Sequence, residues 1–272
     1  MKRREFLIKS AAFLAGGILG LEPLSKALAD PNPNFLLPIP QRKIGVPNSK
    51  AQLALIIDDF GESVSRAAYF LELGIPLTFA VLPRLPKSEE LALKIHAAGH
   101  EILLHQPMEP YGVGIDPGPG ALYVGDNPDK IAQVVAQNIA EIPFASGVNN
   151  HMGSRFTERR QEMSNALAVV KERGLFFIDS LTSGQSQGYK TARNLHIPSA
   201  YRHIFLDNSL EESAILAQLQ QLKRRALRRG QAIGIGHHFP ETARAIKKFL
   251  KELQDTDIAL VYSSDLLFEK VF

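Results

Sequence analysis

The sequence predicts an α/β fold with a mainly parallel sheet closed into a complete or irregular (β/α) barrel. Three observations support this. Short apolar runs recur between stretches with helical spacing, which is the pattern of repeated β/α units. There are about seven or eight such units, which suits one barrel better than two domains. Several of the helical stretches end in glycine, a frequent helix C-cap.

The apolar runs fall at 53–57, 77–82, 101–104, 146–149, 175–178, 202–206, 232–235 and 258–262. Helices are expected over 62–74, 87–100, 127–142, 159–174, 209–230 and 240–254. Before the first strand, residues 30–50 carry five prolines and little periodicity, and read as a linker or extended arm. No internal repeat or low-complexity segment follows.

The first 29 residues read as a targeting segment. A basic start, MKRREFLIKS, precedes a short apolar stretch from Ala11 to Leu21, and Ala27-Leu28-Ala29 forms a small-residue cleavage site. The apolar stretch is too short to span a bilayer comfortably. Arg3-Arg4 followed by Phe6-Leu7 resembles the twin-arginine signal, which implies the twin-arginine export machinery as a partner and a periplasmic or otherwise exported destination. Ala-Leu-Ala followed by Asp30 favours cleavage over retention as a membrane anchor.

The segment to residue 29 holds five Lys/Arg against two Glu, a net of +3, and the whole chain also carries +3. The mature chain is therefore close to neutral, and its charge gives no case for nucleic acid. The basic run LKRRALRRG (222–230) lies at a helix end, where cations are favoured by the macrodipole and solvated. There is no cysteine, so any metal must be held by histidine and carboxylate.

The residues that follow each apolar run are the informative ones. They are Asp58-Asp59, His105, Asn150-His151, Asp179-Ser180, Asp207-Asn208, His237-His238 and Ser263-Ser264. In a parallel barrel the C-terminal strand ends share one rim, where active sites are built. Three histidines and three acidic positions on one rim define a candidate site. Side chains alternate along a strand, but at its last residue that alternation relaxes, so Asp58 and Asp59 can both face the rim, with Gly61 turning the chain away. An Asx turn capping the next helix is the plainer explanation of the pair.

With the residues laid out this way, the chain resembles the divergent polysaccharide deacetylases, relatives of the NodB-type carbohydrate esterases. The marks are IIDDFG (56–61), GHEILLHQPMEP (99–110), GVNNHMGSRF (147–156), FFIDS (176–180) and IGIGHHFPET (233–242), spread over about residues 51–265. The resemblance implies an irregular (β/α) barrel of about seven parallel strands across a catalytic domain at 51–272. It also implies a metal-dependent hydrolase that removes acetyl groups from an envelope or extracellular polysaccharide. Position by position, Asp58 matches the catalytic base, Asp59 a metal ligand, His105 the first histidine of the H-x-x-x-H metal motif and His237 the general acid.

One departure stands out: the fourth position after His105 is Glu109, not histidine. His151 is the favoured third ligand, because imidazole binds zinc well, and Glu109 is the second choice. Arg155 stands in for the family's base-orienting arginine. Asp179 and Asp207 are expected to orient His237 or the ligands. One divalent metal is implied, Zn²⁺ first, although the ligand set also suits Co, Ni, Fe or Mn and serves non-haem iron oxygenases. A backbone N–H near Met152-Gly153 is the candidate oxyanion donor. Tyr111 and Tyr123, on the Gly/Pro-rich loop 112–125 or beside it, could stack on sugar rings. His96, His100, His196, His203 and His238 read as structural. The alternative function is an exported carbohydrate-binding protein with this fold and no turnover.

Overall fold

The computed structural model describes residues 51–254 and 256–267; the expected signal and linker lie outside these residues. The elements run in the order β1 (Ala51–Phe60), α1 (Val64–Leu71), β2 (Thr78–Val81), α2 (Ser88–Ala97), β3 (Glu101–Met108), α3 (Pro128–Glu141) and β4 (Ala145–Met152). They continue through α4 (Arg160–Glu172), β5 (Phe176–Asp179), α5 (Gly188–Asn194), β6 (Ser199–Tyr201), β7 (Ile204–Phe205), α6 (Glu212–Arg229), β8 (Gln231–His237), α7 (Pro240–Leu253) and β9 (Ile258–Val261). Local chemistry sets several boundaries. Asn127 accepts a hydrogen bond from the Lys130 N–H ahead of Pro128 at the start of α3, and Gly230 closes α6 at φ 80°.

All ladders are parallel, in the order β6-β5-β4-β3-β2-β1-β8-β7, with β9 also on β1. The sheet is curled, and its two edge strands, β6 and β7, are joined by only Arg202 and His203. Three extended steps reach at most about 11 Å, so the edges must lie close together. The Arg202 N–H bonds to the Asp179 carbonyl at 2.9 Å, and the His203 N–H to the Ile233 carbonyl at 2.9 Å. The open seam is thus bridged by consecutive residues. The apolar run expected as one strand over 202–206 is divided by this crossing, and β6 and α5 were not foreseen. They lack the length that periodicity needs.

Alternation along the strands builds two apolar layers. Leu53, Leu55 and Ile57 of β1 pack with the helices outside, whereas Ala54 and Ile56 join Ala80, Leu103, Ile178, Ile233 and Ile235 inside. The inner parity continues upward into polar residues: Asp58 follows Ile56, and His105 follows Leu103. Position therefore decides which polar side chains enter the barrel mouth.

Strand β9 corrects one expectation. It pairs with the first half of β1, Ala51–Ala54, so it ends low in the barrel. Ser263 bonds to Thr78 and Glu101, which begin β2 and β3. Ser263 and Ser264 thus seal the end opposite the rim. There Glu101, fully buried, accepts from Thr78, Ser263 and the Ser264 N–H, and burial pushes its carboxyl above the usual range.

Candidate metal centre

Strand β1 does not end at the aspartate pair but continues to Phe60. What brings both carboxylates to the mouth is a bulge: Ile57 pairs with Phe79, yet Phe60 pairs with Val81. Asp59 sits within it at φ 68°, a left-handed conformation that aspartate tolerates better than most residues. Met152 (φ 51°) and Leu181 (φ 46°) are also left-handed and also line the mouth. Three of the six non-glycine residues with positive φ in the described residues thus border one cavity, the clustering expected where a site is built on strain.

The cavity has a volume of about 420 Å³, within the usual range for ligand sites. At its floor three donor atoms converge. Asp59 Oδ1 lies 3.0 Å from His105 Nε2 and 2.9 Å from His151 Nδ1, and the two ring nitrogens are 3.2 Å apart. Donors bound to one ion at about 2.0–2.1 Å lie about 2.9–3.4 Å from one another in octahedral or tetrahedral geometry. The observed triangle fits a divalent cation on that measure. Donor chemistry agrees: His105 Nδ1 is 2.8 Å from Asn149 Oδ1, so its proton sits there and Nε2 presents a lone pair to the triangle. Two imidazole nitrogens and a carboxylate oxygen at these separations make a donor set that one divalent cation could share.

The neighbouring groups are polarised in opposite directions. Asp58 is buried, and desolvation raises its pKa against the pull of His105 and His237. Asp59 is also penalised by burial, but the His105 and His151 rings against its carboxylate outweigh this and hold it far below the usual range. The two adjacent carboxyls are therefore pushed apart in basicity, one firmly ionised and one a better base. His237 is disfavoured as a cation by burial, yet its bond to Asp207 and the charges of Asp59 and Asp58 lift it to about 9. Its Nδ1 lies 2.9 Å from Asp207 Oδ1, and Asp207 Oδ2 accepts from the His237 N–H at 2.6 Å and from Thr242 at 2.7 Å. His237 Nε2 consequently faces the mouth, 3.6 Å from Asp59 Oδ2.

Asp58, Asp59, His105, His151 and His237 thus meet in one cavity, with Asp207 behind His237. Other expected participants are placed elsewhere. Asp179 spends its carboxylate on the Leu181 and Tyr189 N–H groups and on Ser186, holding the turn into α5 rather than orienting His237. Glu109 pairs with Arg155 at 2.5 Å and accepts from the Val124 N–H, outside the triangle. Arg155 is therefore committed to Glu109 and does not orient Asp58. Tyr111 donates to Glu158, and neither it nor Tyr123 lines the cavity. Of the remaining histidines, His238 bonds to the Asp58 carbonyl at 3.2 Å and packs on Phe60.

Two residues beside the cluster were not foreseen from the sequence. Arg202, in the seam between β6 and β7, lines the cavity, bonds to the carbonyls of Ser180 and Leu181 at 2.6 and 2.8 Å, and is partly buried within the fields of Asp58 and Asp179. Asn149 lies between Asp58 and His105. Its signal was available, since it precedes His151 by two residues and so shares its strand face.

A curled parallel sheet carrying an Asp-His-His cluster at its mouth defines a (β/α) barrel protein with a candidate metal centre. Residues 55–267 match the divergent polysaccharide deacetylases, and the chain belongs to that family. It is 34% identical over 221 residues to the uncharacterized protein YibQ of Escherichia coli K12, covering 80% of this chain and 68% of that protein. A crystal structure of an uncharacterized protein from Agrobacterium tumefaciens C58 superposes with a TM-score of 0.75 at 30% identity, covering 79% of this chain and 89% of the other. The catalytic domain of a peptidoglycan N-acetylglucosamine deacetylase from Eubacterium rectale shares the fold at a TM-score of 0.51 and 11% identity, covering 84% and 96%.

Proposed function

We propose that the protein is an exported, metal-dependent hydrolase that removes acetyl groups from a polysaccharide of the cell envelope or exterior. The observation that carries this reading is the placement of a base and an acid on two sides of the triad. Asp58 Oδ2 lies 3.6 Å from His105 Nε2, and His237 Nε2 lies 3.6 Å from Asp59 Oδ2. Binding alone requires neither group.

Asp59, His105 and His151 would hold the ion, with zinc favoured by two imidazoles and one carboxylate. When bound, it would supply Lewis acidity toward the acetyl carbonyl and lower the pKa of water from about 15.7 to about 7. Asp58, made more basic by burial, takes the proton from the attacking water. His237 carries a proton on Nε2 at neutral pH and gives it to the departing amine or alkoxide, while Asp207 keeps the ring oriented. Arg202 presents positive charge at the cavity wall near Asp58. The twin-arginine-like start supports an exported, periplasmic enzyme whose glycan is met outside the cytoplasm.

Acetate release by the zinc-loaded mature protein, offered acetylated amino-sugar oligomers and a generic acetyl ester, tests the proposal. Release is expected. Zinc binding without release from any of these substrates would favour the carbohydrate-binding alternative.

A further inference from the structure

Asn149 occupies a position that no catalytic role requires, yet its two side-chain atoms face different parts of the site. It is fully buried and sits opposite His105 on the β3–β4 ladder. Its Oδ1 is 2.8 Å from His105 Nδ1, and its Nδ2 is 3.0 Å from Asp58 Oδ1 and 3.4 Å from Ser180 Oγ. The Asp58 end sets the amide: reversed, its oxygen would face the Asp58 carboxylate, so the NH₂ is turned there and Oδ1 is left to accept from His105 Nδ1–H. The carboxylate fixes the orientation, and the orientation fixes the tautomer of His105.

We infer that Asn149 is a positioning residue that ties the metal-ligand state of His105 to the placement of Asp58 through one rigid amide. The inference rests on the metal-centre reading above. The two halves act differently. Accepting from Nδ1–H selects the tautomer in which Nε2 is free to ligate, the usual task of an outer partner of a metal-bound histidine. Donating from Nδ2 holds one Asp58 oxygen and leaves the other, Oδ2, turned toward His105 Nε2 and the triad. A carboxylate at this position could perform the first task and not the second. A leucine could perform neither.

This asymmetry gives a test with two independent readouts: zinc affinity by chelator competition, and kcat and KM on an acetyl ester. Asn149→Leu is nearly the same size and removes both bonds; it is expected to weaken zinc about 10- to 100-fold and to lower kcat. Asn149→Asp still accepts from His105 and is expected to hold zinc within about threefold of wild type. It sets a second carboxylate against Asp58, so kcat should fall at least about tenfold with KM little changed. Circular dichroism and melting temperature establish that each variant is folded, and Asn149→Ser replaces any variant that is not. Equal zinc loss in the Asp and Leu variants, or unchanged zinc affinity in the Leu variant, would overturn the inference. So would a wild type that takes up no zinc. The zinc pattern as expected in a protein that hydrolyses nothing would instead support the inference and count against the hydrolase.

Discussion

Asp58 and His237 occupy the same rung of the β1–β8 ladder, although nearly the whole domain separates them in sequence. Each lies 3.6 Å from a different member of the triad. The β1–β8 pairing is what sets the proposed base beside the proposed acid, because β8 returns beside β1 in register.

Asp58→Asn keeps the shape and the hydrogen-bonding capacity of the side chain but cannot take a proton. Hydrolysis should fall at least about 10²-fold, with zinc affinity changed by less than a few-fold. Steady-state kinetics with a parallel zinc titration checks this. Full activity in the variant would remove Asp58 from the mechanism.

The pH profile of kcat/KM should be bell-shaped. Asp58 must be ionised and its pKa is raised, so activity should climb through a pH above the usual carboxylate value. His237 must carry its proton, so activity should decline as pH approaches about 9. A cation in the triad repels protons and moves both limbs lower. A profile flat from pH 5 to pH 10 would contradict the assignment.

Asp207→Asn tests the support behind the acid. Removing the carboxylate removes the bond and charge that raise His237. The alkaline limb should shift toward lower pH and kcat should fall about 10- to 100-fold. An unshifted limb would mean that another group titrates there.

His203 predicts a stability effect away from the site. Its Nδ1 accepts from the Ile233 N–H at 2.9 Å, and burial together with Arg225 holds its pKa down at about 4, against an ordinary 6.5. The unfolded chain therefore binds a proton that the folded chain refuses. Stability is full above about pH 6.5 and falls as pH drops toward 4. His203→Asn, which can accept the same N–H bond without titrating, should flatten that part of the curve in denaturant titrations.

Much of this arrangement was legible from residues alone. Long helices and buried strands carry their own periodicity, and polar residues ending apolar runs marked the mouth at Asp58, His105, His151 and His237. The short elements β6 and α5 carried no such signal. The Ser263–Ser264 expectation failed because an apolar run does not record how high its strand sits in the sheet. Asp179 and Arg155 looked like site residues by position, but nearby partners claim them: backbone amides for the first and Glu109 for the second. Arg202 was hidden because its role arises where the two sheet edges meet, a relationship created by curling.

Metal content of the purified mature protein, by elemental analysis, tests whether Asp59, His105 and His151 hold an ion. About one divalent ion per chain is expected after zinc is offered, lost in Asp59→Ala, His105→Ala and His151→Ala and retained in Glu109→Ala. No bound metal in the wild type, or retention in His151→Ala with loss in Glu109→Ala, would contradict that assignment.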